Sequence, residues 1–596
     1  MRIILVVLLV FKGLTSIGQT FFSEDSSIVV NLETANLSEA INDAQIKVYK
    51  VKGGEVWYKW SKESLGLKDS IGSGFTEGQP IQIVIYNDKG DSLFLEKTIE
   101  PVSISEHLNS VMVPAVEKLG IILFWDPFAA MGIYDPCLYD DNGVIVRKPN
   151  GDPVKREIPF IVVWLVVGAL FFTFYFKFIN FRGIGETYRL LTGKYEDGLD
   201  KDAIGEMSHF QALTTSLSAT IGLGNIAGVA IAISIGGPGA TLWMVVAGFL
   251  GMSSKFVECI LGVKYREVKD GVISGGPMYY MSRGIKGNFG KILAVVFAIL
   301  CVGGSFGGGN MFQSNQAFDQ AVHMIPALNE YGFVFGSVLA VLVGVVIIGG
   351  VKSIARVTDK IVPTMAIGYV LAALSVIVMN LDKTPEAFNL IIDGAFSPDA
   401  LKGGFLGVLV MGFRRAAFSN EAGVGSAPIA HAAVKTNYPA SEGFVAMIGP
   451  FVDTVIVCLM TSLVIIFTGF SGNELGQSGA QLTSAAFESV FSWYGWVLFV
   501  AILLFCYSTM ISWSYYGLKA WEYIFGDTKI SGLIYKGLFL CFIIVGSSSK
   551  KGAVMDFSDL MILAMAVPNI LALYILLPKA KEELNKYWDK VNEYKK

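Results

Sequence analysis

The stretch "SATIGLGNIAGVAIAISIGGPGA", residues 218–240, decides how the chain is read. It is apolar enough to lie in a membrane, yet it holds Gly222, Gly224, Gly228, Gly236, Gly237 and Gly239. Glycine weakens a helix interior by roughly 0.8–1.0 kcal/mol relative to alanine, so the segment reads as a helix that stops and restarts. Two explanations compete. Small residues let helices pack closely, and Gly224 with Gly228 has the spacing for it. Alternatively the helix unwinds at mid-membrane and turns bare N–H and C=O groups toward a solute. Each such group costs several kcal/mol in lipid unless it meets a partner.

A second stretch of this kind follows about 200 residues on, "MGFRRAAFSNEAGVGSAPIAHAA", 411–433. It sets Ser419, Asn420 and Glu421 beside Gly423 and Gly425 where the middle of a span should be. Close packing needs no amide or carboxylate there, so unwinding explains it better. The surrounding composition is that of a membrane protein: 596 residues, 53% hydrophobic and 16% charged, against about 25% charged in soluble domains. Apolar runs predict eleven spans, at 158–179, 211–234, 238–262, 291–323, 332–350, 361–380, 403–431, 444–470, 496–520, 533–548 and 557–577. Five spans begin at 211 and five at 403. An odd number per unit turns the second unit upside down relative to the first. Paired interrupted segments in inverted halves point to a transporter's binding site, with half-helix N-termini facing an anion and freed carbonyls facing a cation.

The opening "MRIILVVLLVFKGLTSIGQT" reads as a signal peptide over 1–19, an uncleaved anchor being the alternative. Residues 20–155 alternate or are β-branched, as in "AQIKVYKV" and "IQIVIYN", and predict a small β-rich extracytoplasmic domain with no catalytic constellation. The expected order after it is an extra span at 156–180, a first repeat at 181–400, a second at 401–577 and a cytoplasmic tail at 578–596. Lys and Arg in the connections, from Lys177 to Lys201, Lys264 to Lys286 and Lys352 to Lys360, place those loops and the tail on the cytoplasmic side. The six cysteines form neither a disulfide framework nor a Cys-x-x-Cys metal site, and the four histidines are scattered. A net charge of −4 argues against nucleic-acid binding.

The segments "FQALTTSLSATIGLGNIAGVA", "GGPGATLWMVVAGFLGMSSKFVE" and "FSNEAGVGSAPIAHAAVKT" resemble the alanine or glycine:cation symporter family, over roughly residues 180 to 577. The resemblance implies an all-α polytopic fold with a five-plus-five inverted repeat of the LeuT or amino acid–polyamine–cation type, after one extra span. It implies sodium-coupled uptake of alanine or glycine in the inner membrane, with sodium as coupling ion and no cofactor. Proton coupling occurs in relatives. It also implies that Ala219, Thr220, Gly222, Gly224 and Asn225 form the first break and hold substrate carboxylate and sodium through backbone groups and the Asn225 amide, capping of the half-helix by Asn225 being the alternative. Family members usually carry threonine between the two glycines where this chain has Leu223.

Other candidates come from spacing. Asn310, Gln313, Ala317 and Gln320 share one helical face. Intramembrane amides need partners, so Gln313 is a candidate substrate contact, with interhelical hydrogen bonding as the alternative. Ser508 and Ser512 lie at i, i+4, as do Thr509 and Trp513. The three hydroxyls suit a hard cation and Trp513 would cap the pocket, unless the hydroxyls merely bond back to their own helix. Asn420, Gly423 and Gly425 would border the substrate from the second break. Arg414 and Arg415, each costing about 2.5–3.5 kcal/mol at a helix centre, have Glu421 as nearest counter-charge in sequence and read as a gate or scaffold pairing. Asp319 and Asp453 are further buried candidates. Rival readings are weaker. A channel needs filter loops or charged rings, and Ser426 with His431, five apart, makes a poor hydrolase pair. A sensor binding its ligand through the extracytoplasmic domain is the remaining alternative.

Overall fold

The computed structural model describes the strands between residues 16 and 98 and, from 120 to 595, all but 122–123, 138–144, 146–152, 154–157, 195–202, 270, 397–403, 473–478 and 550. The chain divides into two compact units, Met1–Lys118 and Leu119–Lys596. Described residues of the stretch expected to belong with the β-rich region, such as Asp126–Cys137, fall within the second unit. The first fifteen residues of the predicted signal peptide lie outside the described residues, and Ser16–Phe22 is already a strand.

In the first unit the alternating segments become β1 (Ser16–Phe22), β2 (Val29–Ala35), β3 (Ala44–Tyr49), β4 (Val56–Trp60), β5 (Ile71–Phe75), β6 (Pro80–Asn87) and β7 (Ser92–Thr98). They pair antiparallel into one sheet of order β1-β2-β3-β5 and another of order β4-β6-β7. Pro80, which has no N–H for a ladder, sits at the first position of β6.

The second unit is helical. Its first half comprises α1 (Phe160–Tyr175), α2 (His209–Thr220), α3 (Val229–Gly236), α4 (Ala240–Lys264), α5 (Asn288–Phe306), α6 (Phe312–Met324), α7 (Gly332–Ile348), α8 (Gly350–Met379) and α9 (Thr384–Phe396). Then come α10 (Gly404–Asn420), α11 (Ala427–His431), α12 (Pro439–Ala446), α13 (Leu459–Phe467), α14 (Ala480–Glu488), α15 (Tyr494–Phe525), α16 (Lys529–Ser548) and α17 (Lys551–Lys595). A short hairpin, Glu267–Lys269 with Val272–Ser274, follows α4. Local chemistry sets several starts: Ser208 and Gln211 form a capping box ahead of α2, Pro439 occupies the first turn of α12, and Thr528 caps α16. Seven described helices are long and apolar enough to cross a membrane, eight if a bent pair counts as one span. Helices α1 and α7 are apolar but shorter. Val341, Val345, Ile348, Ile367, Leu371 and Leu533 stand exposed on α7, α8 and α16, a surface that only lipid can cover at low cost. The expected tail is not separate: α17 runs on without a break, docking through Tyr587, whose hydroxyl donates to Glu186 at 2.7 Å, and through a 2.5 Å Lys264–Glu583 pair.

Both glycine-rich stretches are broken. Helix α2 stops at Thr220, and the helix that resumes at Gly224 is bent from it by 53°. The second break spans 421–426, between α10 and α11. Their backbones differ. Glu421, Gly423 and Gly425 all have positive φ, whereas no residue of the first break does. A left-handed non-glycine costs roughly 1–2 kcal/mol, so Glu421 is held there by its surroundings. π-helical stretches at Gly224–Gly228, Gly307–Met311 and Phe451–Cys458 interrupt three helices at the level of the breaks, a feature common at functional sites.

Candidate functional site

At the first break the freed N–H groups are taken by two side-chain amides. Asn225 Oδ1 accepts from Gly222 N–H at 2.9 Å, and Gln313 Oε1 accepts from Leu223 N–H at 3.0 Å. Gln313 Nε2 donates to Gly308 O at 2.8 Å, so one side chain joins the break to the π stretch before α6. Leu223 therefore contributes its backbone N–H to the site. Across from it, Thr509 Oγ1 donates to Ser218 O at 3.0 Å and Ser218 Oγ to Ser508 O at 2.7 Å. Gly222 faces this group so closely that a Cβ there would lie 2.4 Å from Thr509 Oγ1 and 3.1 Å from Gln313 Oε1. At Gly228 a Cβ would meet nothing within 4 Å, and at Gly224 only ordinary contacts with Phe418 and Ser419. The packing explanation for Gly224 with Gly228 thus fails, and Gly222 is the glycine that close approach requires. Gly222→Ala is expected to cut uptake by at least an order of magnitude and Gly228→Ala to leave it within about twofold, measured as initial rates at equal protein in the membrane.

The two breaks are tied through Asp453, on the π stretch between α12 and α13. Asn225 Nδ2 donates to its Oδ1 at 2.7 Å, while Ser419 Oγ and Thr454 Oγ1 each donate to its Oδ2 at 2.8 Å. Asn420 Nδ2 donates to Thr454 Oγ1 at 2.9 Å. One buried carboxylate therefore holds Asn225, two residues past the first break, and Ser419, two residues ahead of the second. Charge-assisted bonds of this sort contribute about 1.5–3 kcal/mol each. Glu421 turns the other way, accepting from the Trp513 indole N–H at 3.0 Å and from the Ser426 hydroxyl. Gly309 lets Trp513 pack in, since a Cβ there would come within 2.3 Å of the indole.

Several sequence-derived candidates sit elsewhere. Gly423 and Gly425 supply the left-handed turns and face Leu165, Ile570 and Asn569, with Asn569 Nδ2 donating to Gly423 O at 2.9 Å. Thr220 bonds back to Ser216 O and Leu217 O, and Ser508 Oγ to Phe505 O. Ala219 is buried beside them, and the Ser512 hydroxyl is buried with no hydrogen-bond partner among the described residues. Asn310 and Gln320 bond to Phe539 O and Ser484 Oγ, so only Gln313 of that face reaches the break. Arg414 and Arg415 do not pair with Glu421: both reach Asp559 on α17, Arg415 with both terminal nitrogens and Arg414 at 2.8 Å. Sequence reasoning passed over Lys255 and Glu258. Both are buried on α4, and Glu258 accepts from Asn569 Nδ2 at 2.7 Å. Two ionisable residues inside one apolar span were the available signal.

A polytopic membrane protein with two unwound helices joined at a buried polar centre is built as a carrier. The chain belongs to the sodium:alanine symporter family, whose model matches residues 150–596, and is a secondary active amino acid:cation symporter. It is 39% identical over 426 residues to the sodium/alanine symporter AgcS of Methanococcus maripaludis, covering 70% of this chain and 92% of that one. It is 34% identical over 418 residues to the probable sodium/glutamine symporter GlnT of Bacillus subtilis, covering 70% and 85%. Among solved structures it is similar to MhsT in complex with L-phenylalanine, at 15% identity and a TM-score of 0.42, covering 63% of this chain and 99% of that one.

Proposed function

We propose that the protein imports alanine or glycine together with sodium by alternating access, the small zwitterion and the ion sharing the space beside the first break. The arrangement that carries this reading is the convergence of Gln313, Asn225 and Thr509 on the backbone of 218–223, with Asp453 tying that break to the second. In this reading the substrate carboxylate takes the Gly222 and Leu223 N–H groups that the two amides now satisfy, Gln313 turning to the substrate. Thr220, Gly224, Asn420, Gly423 and Gly425 shape the two breaks around it, and Trp513 closes the pocket and limits side-chain size. Sodium is held by carbonyls of Ala219 and Gly222 and the hydroxyls of Ser508, Thr509 and Ser512; the unpartnered Ser512 hydroxyl supports that assignment.

The finer architecture belongs to the same proposal: eleven spans, a five-plus-five inverted repeat after α1, a signal peptide, a β-rich domain outside the cell and α17 ending in the cytoplasm. The driving force suffices. A tenfold sodium gradient supplies about 1.4 kcal/mol and 100 mV adds ~2.3 kcal/mol per charge, enough for a few-hundred-fold substrate gradient. No bond is made or broken. The test is uptake of labelled alanine into proteoliposomes with sodium and proton gradients imposed separately. Accumulation is expected with the sodium gradient alone, and accumulation only with a proton gradient would replace sodium as the coupling ion.

A further inference from the structure

Where α1 ends, the chain turns sharply into a helical segment, Ile179–Arg182 followed by Ile184–Leu191. Lys177 and Phe178 make the turn with φ of 52° and 58°, a left-handed conformation that residues other than glycine rarely adopt. The segment is amphipathic in the sense opposite to a helix in water. Its outer face carries Phe178, Phe181, Ile184 and Tyr188 in one stripe, each between 42% and 70% exposed. Its polar side chains Asn180, Glu186 and Thr187 are the buried ones. The stripe continues the exposed Phe171 and Phe174 of α1, so lipid is the solvent that covers it at low cost.

The charges fit the same solvent. Lys177 and Arg182 are exposed beside the stripe, and Arg182 Nη1 donates to Lys177 O at 3.4 Å, which brings both cations to one end of it. Among the described residues neither is in an ion pair, whereas Arg189 further along pairs with Glu186 at 2.7 Å. Lys581 of α17 adds a third cation, 5.7 Å over the Phe176 ring. An anionic bilayer surface attracts Lys and Arg placed at the end of a span. The buried face of the segment is bonded to the helices around the centre. Asn180 Nδ2 donates to Phe249 O of α4 at 3.0 Å, and Thr187 Oγ1 to Phe444 O of α12 at 2.6 Å. Gly183 permits this approach, since a Cβ there would lie 2.6 Å from Met447 Cε and 2.9 Å from Phe444 Cδ1. A line of rings runs inward from the exposed face: Phe181 stacks on Phe249 at 5.5 Å, and Phe249 meets Phe451 at 5.9 Å. Phe451 is the first residue of the π stretch that carries Asp453, the carboxylate joining the two breaks.

We propose that this face is a site for an anionic phospholipid whose phosphate lies between Lys177 and Arg182 and whose acyl chain covers Phe181, Ile184 and Tyr188. The bound lipid steadies Phe181 against Phe249 and Phe451 and so raises the transport rate, coupling of this kind passing through contiguous packed side chains. The partner is a lipid and not a soluble phosphate, because the two cations border an apolar stripe that a soluble anion would leave uncovered.

Native mass spectrometry of the full chain in detergent, titrated with phosphatidylglycerol or phosphatidylcholine, reads the binding. The unsubstituted protein is expected to retain phosphatidylglycerol roughly fivefold or more over phosphatidylcholine, and Lys177→Gln with Arg182→Gln to lose that preference. The charge-conserving Lys177→Arg with Arg182→Lys should keep it, as should Lys194→Gln at the far end of the segment. Equal retention of the two lipids by the unsubstituted protein, or an undiminished preference after Lys177→Gln with Arg182→Gln, overturns the site. A loss as large with Lys194→Gln also overturns it, since the attraction would then be diffuse surface charge. Alanine uptake into phosphatidylcholine vesicles, with and without phosphatidylglycerol, reads the consequence. The initial rate is expected to rise roughly threefold or more with phosphatidylglycerol and to stay nearly level in Lys177→Gln with Arg182→Gln. Phe181→Ala is expected to bind the lipid yet gain no rate, and a gain equal to that of the unsubstituted protein overturns the coupling. Binding is read without transport, so a failure of the symport reading shows as no uptake in either vesicle and leaves the binding result standing.

Discussion

Asp559→Asn is expected to destabilise the protein by about 3–5 kcal/mol, the usual consequence of stripping one partner from a buried ion pair. Asp559 is fully buried on α17 and answers both Arg414 and Arg415 from α10. Cation–π contact with Phe124 and Phe418, at 4.6 and 5.7 Å, helps hold the two guanidiniums but cannot neutralise them. With the carboxylate gone, two positive charges face each other in a dry interface. Because Arg415 lies just before Ser419 and Asn420, the same change is expected to disturb the second break and depress uptake. Thermal unfolding of the detergent-purified variant measures the first effect. The triple variant Arg414→Leu, Arg415→Leu and Asp559→Leu, which removes the whole cluster rather than one side of it, should recover more than half of the loss. A single variant that melts with the parent protein would show that the pair is not a structural tie.

Gln313→Ala carries the largest expected effect on transport. Among the described residues its amide is the only side-chain partner of Leu223 N–H, and it also satisfies Gly308 O. Truncation leaves two buried backbone groups unpaired, at about 1–3 kcal/mol each, and removes the amide proposed to turn to the substrate. Sodium-driven accumulation is expected to fall by roughly two orders of magnitude while the protein still inserts and purifies. Gln320→Ala is the matched comparison. It stands on the same face of α6 but binds Ser484 Oγ at 2.9 Å, so it is expected to change uptake by less than about threefold. Equal losses at both positions would reduce Gln313 to one more interhelical amide.

The contrast between Gln313 and Gln320 shows where sequence reading stops. Periodicity placed both on one face, but only the π stretch at Gly307–Met311 decides which of them meets the break, and a π stretch leaves no hydrophobic signature. The glycines tell the same story. Their number marked both stretches as interrupted, yet at the first break Gly222 is required by the approach of Thr509, and at the second Gly423 and Gly425 are required by positive φ. The pairing of Arg415 with Asp559, 144 residues away, was hidden because the nearest carboxylate in sequence, Glu421, is turned by its left-handed backbone toward Trp513.

By itself the sequence determined the solvent, the helical class and the two points at which helices come apart, because hydropathy and glycine placement are local and additive along a chain. Only the tertiary structure decided which buried groups meet: Asp453 between the two breaks, Glu442 between two histidines, Asp559 between two arginines. In lipid, charged and amide groups must find partners wherever packing supplies them, and packing joins residues that no local pattern relates.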